Sequence, residues 1–173
     1  GTCLNKTVGI LEKLQPDLIF VHADRGEHLM VAFAALNLGI PIAHTQGGEK
    51  SGNIDEVQRH AITKIAHIHF PETEKAAQRL KLLGEEDWRV FPVGSVYIDR
   101  ITQKIYTPNS EVRKKVGLNP DEPYFIAIYH PETDEITETN YRNAKTLFEA
   151  LKVLPQRVFI SYPCSDPGYE GVL

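Results

Sequence analysis

Cysteine is scarce in this sequence: Cys3 and Cys164 stand near opposite ends of the 173 residues, with no Cys-x-x-Cys spacing. Two lone thiols in a chain this long fit a reducing, cytoplasmic setting better than a disulfide framework. Positive charge is not in excess either. The net charge is −4 and the pI about 6.0, so nothing here would neutralise a run of phosphates, and nucleic-acid binding is not expected. No apolar run approaches the ~20 residues needed to span a bilayer, so no membrane partner is expected. Internal repeats and low-complexity tracts are also lacking. There is no initiator Met; the chain opens inside a helix-like pattern rather than a signal peptide and closes on Gly171-Val172-Leu173 without a finishing element. Both ends read as cuts in a longer protein. What is present, 42% hydrophobic and 24% charged residues, is the composition of an ordinary globular α/β protein.

Hydrophobic patterning supplies the elements. Leu4, Val8, Leu11 and Leu14 share a helical face, and Gln15-Pro16-Asp17 breaks the helix. Residues 18–21 form a short apolar run expected to be a strand buried on both faces. A helix over 26–38 follows, closed by Gly39, then a second buried strand over 40–43. A glycine-bearing loop leads to a helix over 54–66, a strand over 68–70 and a helix over 72–83. Residues 89–93 read as a fourth strand and 96–104 as a further helix. Strands alternating with helices at this spacing mean right-handed βαβ units and a parallel sheet. Pro108, Asn109, Pro120 and Pro123 then punctuate a charged stretch. It is expected to be a linker over 107–122 with one short helix, 111–116, following a first domain over 1–106. A second α/β domain, 123–173, is only begun: a buried strand over 124–129, a helix over 137–154 and a strand over 157–162.

In a parallel α/β sheet, ligands bind outside the carboxyl ends of the strands. The ends here are His22-Ala23-Asp24-Arg25, His44-Thr45-Gln46-Gly47-Gly48-Glu49, Tyr129-His130-Pro131-Glu132 and Tyr162-Pro163-Cys164-Ser165-Asp166. Ionisable residues recur at one edge, which a cleft needs and a core does not. Each has a plainer explanation too. Asp24 and Arg25 fit a helix N-cap and a surface charge. Gly47-Gly48 before a helix fits an anion-binding turn or an ordinary loop. Asn53 with Glu56 reads as a variant capping box. Asp55 fits either the helix dipole or catalysis, and Arg59, one turn on, lies on the same face in position to pair with it. His60, His67 and His69 lack the carboxylate of an H-E-x-x-H pattern, so no metal is expected. His130, before a Pro-Glu-Thr turn, suits acid–base work.

These residues can be compared with a family. The run from His44 to Glu56, continuing through Arg59-His60-Ala61-Ile62-Thr63-Lys64, closely resembles the "G-G-E-x-S-G-x-I-D-E-x-x-R-H-A-I-T-K" signature of hydrolysing UDP-N-acetylglucosamine 2-epimerases. His22-Ala23-Asp24-Arg25 resembles their "H-G-D-R" strand end. Residues 91–99 resemble their "V-x-G-x-x-x-x-D" segment. His130-Pro131-Glu132-Thr133 resembles their "H-P-x-T" turn, and residues 162–168 their "P-N-x-D-x-G" stretch. The motifs occur in family order over nearly the whole chain.

The resemblance implies an α/β fold of two Rossmann-like domains with parallel sheets, facing a cleft as in the glycosyltransferase-B arrangement, here truncated at both ends. It implies a UDP-sugar substrate, no cofactor, and a homodimer for the full-length enzyme. The reaction it implies is anti elimination of UDP to a glycal, then addition of water and release of the 2-epimeric sugar. Asp24, Asp55, His130, Gln46 and Glu49 become the candidate catalytic residues, with Asp24 and Asp55 pointing into one gap that His130 closes from the other lobe. Arg25, His44, Gly47, Glu56, Arg59 and Asp166 become the candidate substrate-binding residues. Gln46 is a departure, since many members of the family carry Glu there, and an amide cannot take up a proton. Related enzymes acting on diacetamido sugar nucleotides also carry Gln. The alternatives are a non-hydrolysing epimerase of the same fold and a non-catalytic sugar-nucleotide-binding homologue.

Overall fold

A computed structural model describes all of residues 1–173. The chain forms two compact units, Gly1–Lys104 and Ile105–Leu173. No helix is long and apolar enough to cross a membrane.

The first unit runs α1 (Thr2–Leu14), β1 (Ile19–His22), α2 (Gly26–Asn37), β2 (Ile42–Thr45), α3 (Ile54–Ile65), β3 (Ile68–Phe70), α4 (Glu74–Leu82) and α5 (Val96–Thr102). Its three strands are parallel in the order β1-β2-β3, with Val21 beside His44 and His44 beside His69. That register puts Val21, His44 and His69 on one face, and all three are buried. Helices α1, α2 and α3 pack in sequence, with Leu11, Ala32, Ala35, Ile42 and Ile62 at the centre of the core. Alanines along α2 keep its buried side thin, so the helix seats closely on the sheet.

Several expectations need correction. Residues 18–21 were expected to be buried on both faces, but Phe20 is 61% exposed. Phe20, Phe70 and Phe91 instead form an aromatic strip across the opposite face, with successive ring centroids 6.2 and 6.0 Å apart. Leu14 is exposed rather than part of the α1 core face, because α1 ends there and Gln15 turns the chain with φ 44°. The second strand lies two residues later than expected. Pro41 cannot donate to a ladder, and His44 and Thr45 are drawn into the strand by long-range partners. The expected fourth strand is no strand. Residues 87–89 form a 3-10 turn and only Val90 bridges to His69; the Phe91 and Val93 N–H groups donate to the His69 and Pro71 carbonyls at 2.9 and 3.1 Å, but Pro71 has no N–H to return.

The second unit runs α6 (Asn109–Lys115), β4 (Tyr124–Ile128), α7 (Thr137–Lys152) and β5 (Arg157–Ser161), with β4 and β5 parallel. The stretch expected as a linker is part of this unit. Arg113 donates to the Asn119 and Glu122 carbonyls, and Arg157 to the Gly117 carbonyl. Strand β4 is not the buried strand expected, since Phe125, Ile126 and Ile128 are all exposed on this two-stranded sheet.

Candidate active site

The carboxyl ends of β1, β2 and β3 lie side by side, and the first unit's polar cluster is built on them. Two non-glycine residues there adopt left-handed backbone, Ala23 at φ 58° and Gln46 at φ 57°. Such conformations cost on the order of 1–2 kcal/mol and persist where surrounding bonds fix them. Here the Ala23 N–H donates to the Thr45 carbonyl at 3.1 Å, and the Gln46 N–H to the Phe70 carbonyl at 3.3 Å. Both turns release the chain from the sheet with the next side chains at the edge.

Asp24 pairs with Arg59, whose guanidinium also donates to the Glu49 carbonyl (3.0 Å) and Ser51 Oγ (3.4 Å). Ser51 Oγ donates to Asn53 Oδ1 (2.7 Å), and Asn53 Nδ2 to Asp55 Oδ2 (3.0 Å). One continuous relay of side chains therefore ties Asp24 to Asp55. Arg59 was expected to pair with Asp55 one turn away; its partner is Asp24, 35 residues upstream. The side chain is buried and reaches across the strand end, where the Asp24 carboxylate and the Glu49 carbonyl meet it. Asp24 does not cap α2; Arg25 occupies that position and makes no side-chain cap bond, and its guanidinium lies 3.5 Å from Glu27.

The expected capping box also differs. Asn53 is the N-cap of α3 but makes no side-chain cap bond. Glu56 reaches past it to the N–H groups of Gly52 (2.6 Å) and Ser51 (2.9 Å), so it folds the loop rather than the helix end. Those donors, Gly52 first, hold its carboxyl below the usual range.

His44 is fully buried. Its Nε2 donates to the Ala23 carbonyl at 2.8 Å and its Nδ1 accepts from Thr63 Oγ1 at 3.4 Å. Burial drives its pKa down to about 4, so the ring is neutral and acts as a brace under the Ala23 turn. Gly47 packs over that ring, where a Cβ would meet His44 Nδ1 at 3.1 Å. His22 bonds Thr45 Oγ1 (2.7 Å) and the Tyr97 hydroxyl (3.0 Å), which joins α5 to the same edge.

Gln46 Nε2 donates to Glu72 Oε1 at 2.8 Å, and Glu49 Oε1 accepts from Thr73 Oγ1 at 3.1 Å. Glu72 and Thr73 were missed in the sequence. The rule that pointed to strand ends applies equally to Phe70-Pro71-Glu72-Thr73, but the patterning there reads as the acidic first turn of α4.

The second unit has its own strand-edge cluster. The Cys164 N–H donates to His130 Nδ1 at 3.2 Å, its Sγ lies 3.0 Å from the same nitrogen, and Sγ donates to Asp166 Oδ2 at 2.7 Å. A backbone N–H only donates, so the neutral His130 ring carries its proton on Nε2. Burial, then the Asp166 carboxylate, raises the Cys164 pKa. The loop is held by Asn140, fully buried, which bonds both the N–H (2.9 Å) and the carbonyl (3.1 Å) of Glu132.

Comparison with known proteins places this geometry in a family. The sequence profile described as UDP-N-acetylglucosamine 2-epimerase matches residues 1–172. The chain is 36% identical, over 92% of its length, to the UDP-N,N'-diacetylbacillosamine 2-epimerase (hydrolyzing) of Legionella pneumophila, of which it spans 42%. It is 33% identical over its whole length to the UDP-N-acetylglucosamine 2-epimerase of Neisseria meningitidis, of which it spans 46%. Among solved structures, 92% of it superposes with TM-score 0.76 and 24% identity on Methanocaldococcus jannaschii UDP-GlcNAc 2-epimerase in complex with UDP-GlcNAc and UDP, covering 45% of that chain. The chain thus spans less than half the length of each of these. The α/β fold with parallel sheets, of UDP-GlcNAc 2-epimerase type, is shared with them.

Proposed function

The chain belongs to the UDP-N-acetylglucosamine 2-epimerase family, and from that premise we propose that it is part of a hydrolysing enzyme converting UDP-N-acetylglucosamine, or a related diacetamido sugar nucleotide, into the free 2-epimeric sugar and UDP. The observation carrying the reading is the relay Asp24–Arg59–Ser51–Asn53–Asp55, which puts carboxylates from two successive strand-to-helix junctions into one network. The similarity to a relative named as hydrolyzing supports the finer assignment.

The chemistry explains why acids are wanted. The sugar C2 proton is not acidic, so C1–O cleavage leads and positive charge builds on the ring. Fixed carboxylates stabilise that charge and exchange protons as the glycal forms and water adds. We assign Asp24 and Asp55 to these tasks. Arg59, His44, Gly47 and Glu56 hold the turns that aim them. Arg25 and Glu49 stand at the same edge as polar contacts for substrate. In the second unit, His130 presents an Nε2–H donor, while its Nδ1 faces Cys164, which donates to Asp166. The proposed setting is a cytoplasmic homodimer requiring no metal or organic cofactor.

Product analysis tests the assignment. The complete enzyme containing this chain, incubated with UDP-N-acetylglucosamine or its diacetamido relative, is expected to release free 2-epimer and UDP. A UDP-linked 2-epimer as the sole product would instead make it non-hydrolysing. Neither product, with binding retained, would make it a binding homologue.

A further inference from the structure

We propose that Glu72 is a further catalytic carboxylate of this site and that Gln46 is its positioning residue. The inference rests on the epimerase reading above and names a proton-exchanging group within it. Gln46 stands at the end of the central strand of the first unit, yet its amide can only donate and accept hydrogen bonds. Its left-handed backbone, φ 57°, turns its side chain toward the neighbouring strand end. There its Nε2 donates at 2.8 Å to Oε1 of Glu72, two residues beyond the end of β3. One of the amide's two N–H donors is thereby spent on the carboxylate, and the two side chains act as one unit across the ends of β2 and β3. Glu72 is half-buried, and its second oxygen has no hydrogen-bond partner within the chain. One oxygen is anchored and the other is open, which is the arrangement a proton-accepting carboxylate requires.

In the proposed elimination, Glu72 takes the proton from C2. The C2–H electron pair becomes the C1=C2 double bond, and the C1–O bond breaks with its electrons leaving on UDP. Water then supplies hydroxyl to C1, a proton reaches C2 from the opposite face, and Glu72 returns its proton to solvent. The sum is substrate plus water giving the 2-epimer and UDP.

A three-variant series in the complete enzyme tests this. Glu72→Gln is expected to lower kcat at least about 100-fold with little change in KM, the range for loss of a general base. Gln46→Glu alone sets two carboxylates at hydrogen-bond distance, where both cannot ionise, so the acid limb of its pH–rate profile moves up. The exchange Gln46→Glu with Glu72→Gln restores one carboxylate and one amide in contact and recovers activity to within about tenfold of wild type. Wild-type kcat in Glu72→Gln, or an exchange variant no more active than Glu72→Gln, overturns the proposal. A wild type that forms neither product sinks the epimerase reading, and the catalytic role of Glu72 with it. The Gln46–Glu72 contact is read separately from melting of the 173-residue chain. Gln46→Glu should lower Tm more at pH 7 than at pH 4, and the exchange should restore it. Equal effects at both pH values overturn the pairing itself.

Discussion

Arg59 shows how much one side chain can hold at the site. Its guanidinium joins Asp24, the Glu49 carbonyl and Ser51, and so ties the turn after β1 to the loop after β2. Replacing it with Met keeps the stem and removes every donor. Hydrogen bonds to charged groups contribute about 1.5–3 kcal/mol, so Arg59→Met should lower the urea midpoint by an amount equivalent to about 2–3 kcal/mol with the m-value unchanged. An unmoved midpoint would show that the network carries no stability. His44 gives a pH signature. Burial lowers its folded pKa from the ordinary 6.5 to about 4. The unfolded chain therefore binds the extra proton first, and stability falls as pH drops from about 6.5 toward 4. The full loss is about 3 kcal/mol for a shift of this size. Denaturation followed from pH 7 to 4 should show this slope in wild type and a shallower one in His44→Asn. Equal slopes would contradict a buried neutral ring. At this scale the sequence pointed to Asp24 and His130 as candidates at strand ends and to Asp55 at a helix start, and the structure joins Asp24 and Asp55 in one hydrogen-bonded network. It misdirected Arg59, because spacing of four along a helix favours Asp55 while the fold brings a closer acid from β1. It passed over Glu72, which local patterning explains as a helix-favouring acid.

At the scale of elements, the loop between β2 and α3 is fixed by its fit against α4. Gly48 has φ 82°, and a Cβ there would strike the Ala76 carbonyl and crowd Leu80. Arg79 of α4 donates to the Gly48 carbonyl from the same side. Gly39 also has positive φ, 69°, but faces open space. Gly39→Ala should therefore cost only the backbone conformation, about 1 kcal/mol. Gly48→Ala adds overpacking, for a total of at least about 2 kcal/mol. Thermal melts of the pair are the measurement, and equal losses would mean that α4 does not press on the loop. The helices were legible to within about two residues; in α1, α2, α3 and α7 the apolar periodicity repeats over three turns or more. Strands β1, β3, β4 and β5 were placed to within one residue, while β2 moved by two because His44 and Thr45 find partners that no local window contains. The segment over 89–93 read as a strand from its short apolar run, yet Pro71 opposite it has no N–H to complete the ladder.

At the scale of the molecule, the parallel sheet of the first unit is covered on one face, and Phe20, Phe70 and Phe91 lie on the other. Parallel sheets are normally covered on both. In isolation the 173-residue chain should bind a hydrophobic dye, and Phe20→Ser should reduce the signal; no dye binding would mean that this face is closed. Its turnover should fall below about 1% of the complete enzyme's, because reacting groups held out of register lose the advantage of proximity. Exchange of the sugar C2 hydrogen with solvent reads out what the relay from Asp24 to Asp55 does. In deuterium oxide the complete enzyme should place one deuterium at C2 of the released sugar, and Asp24→Asn or Asp55→Asn should each abolish the incorporation. Product that keeps its original C2 hydrogen, or either variant incorporating deuterium at the wild-type rate, would contradict the account.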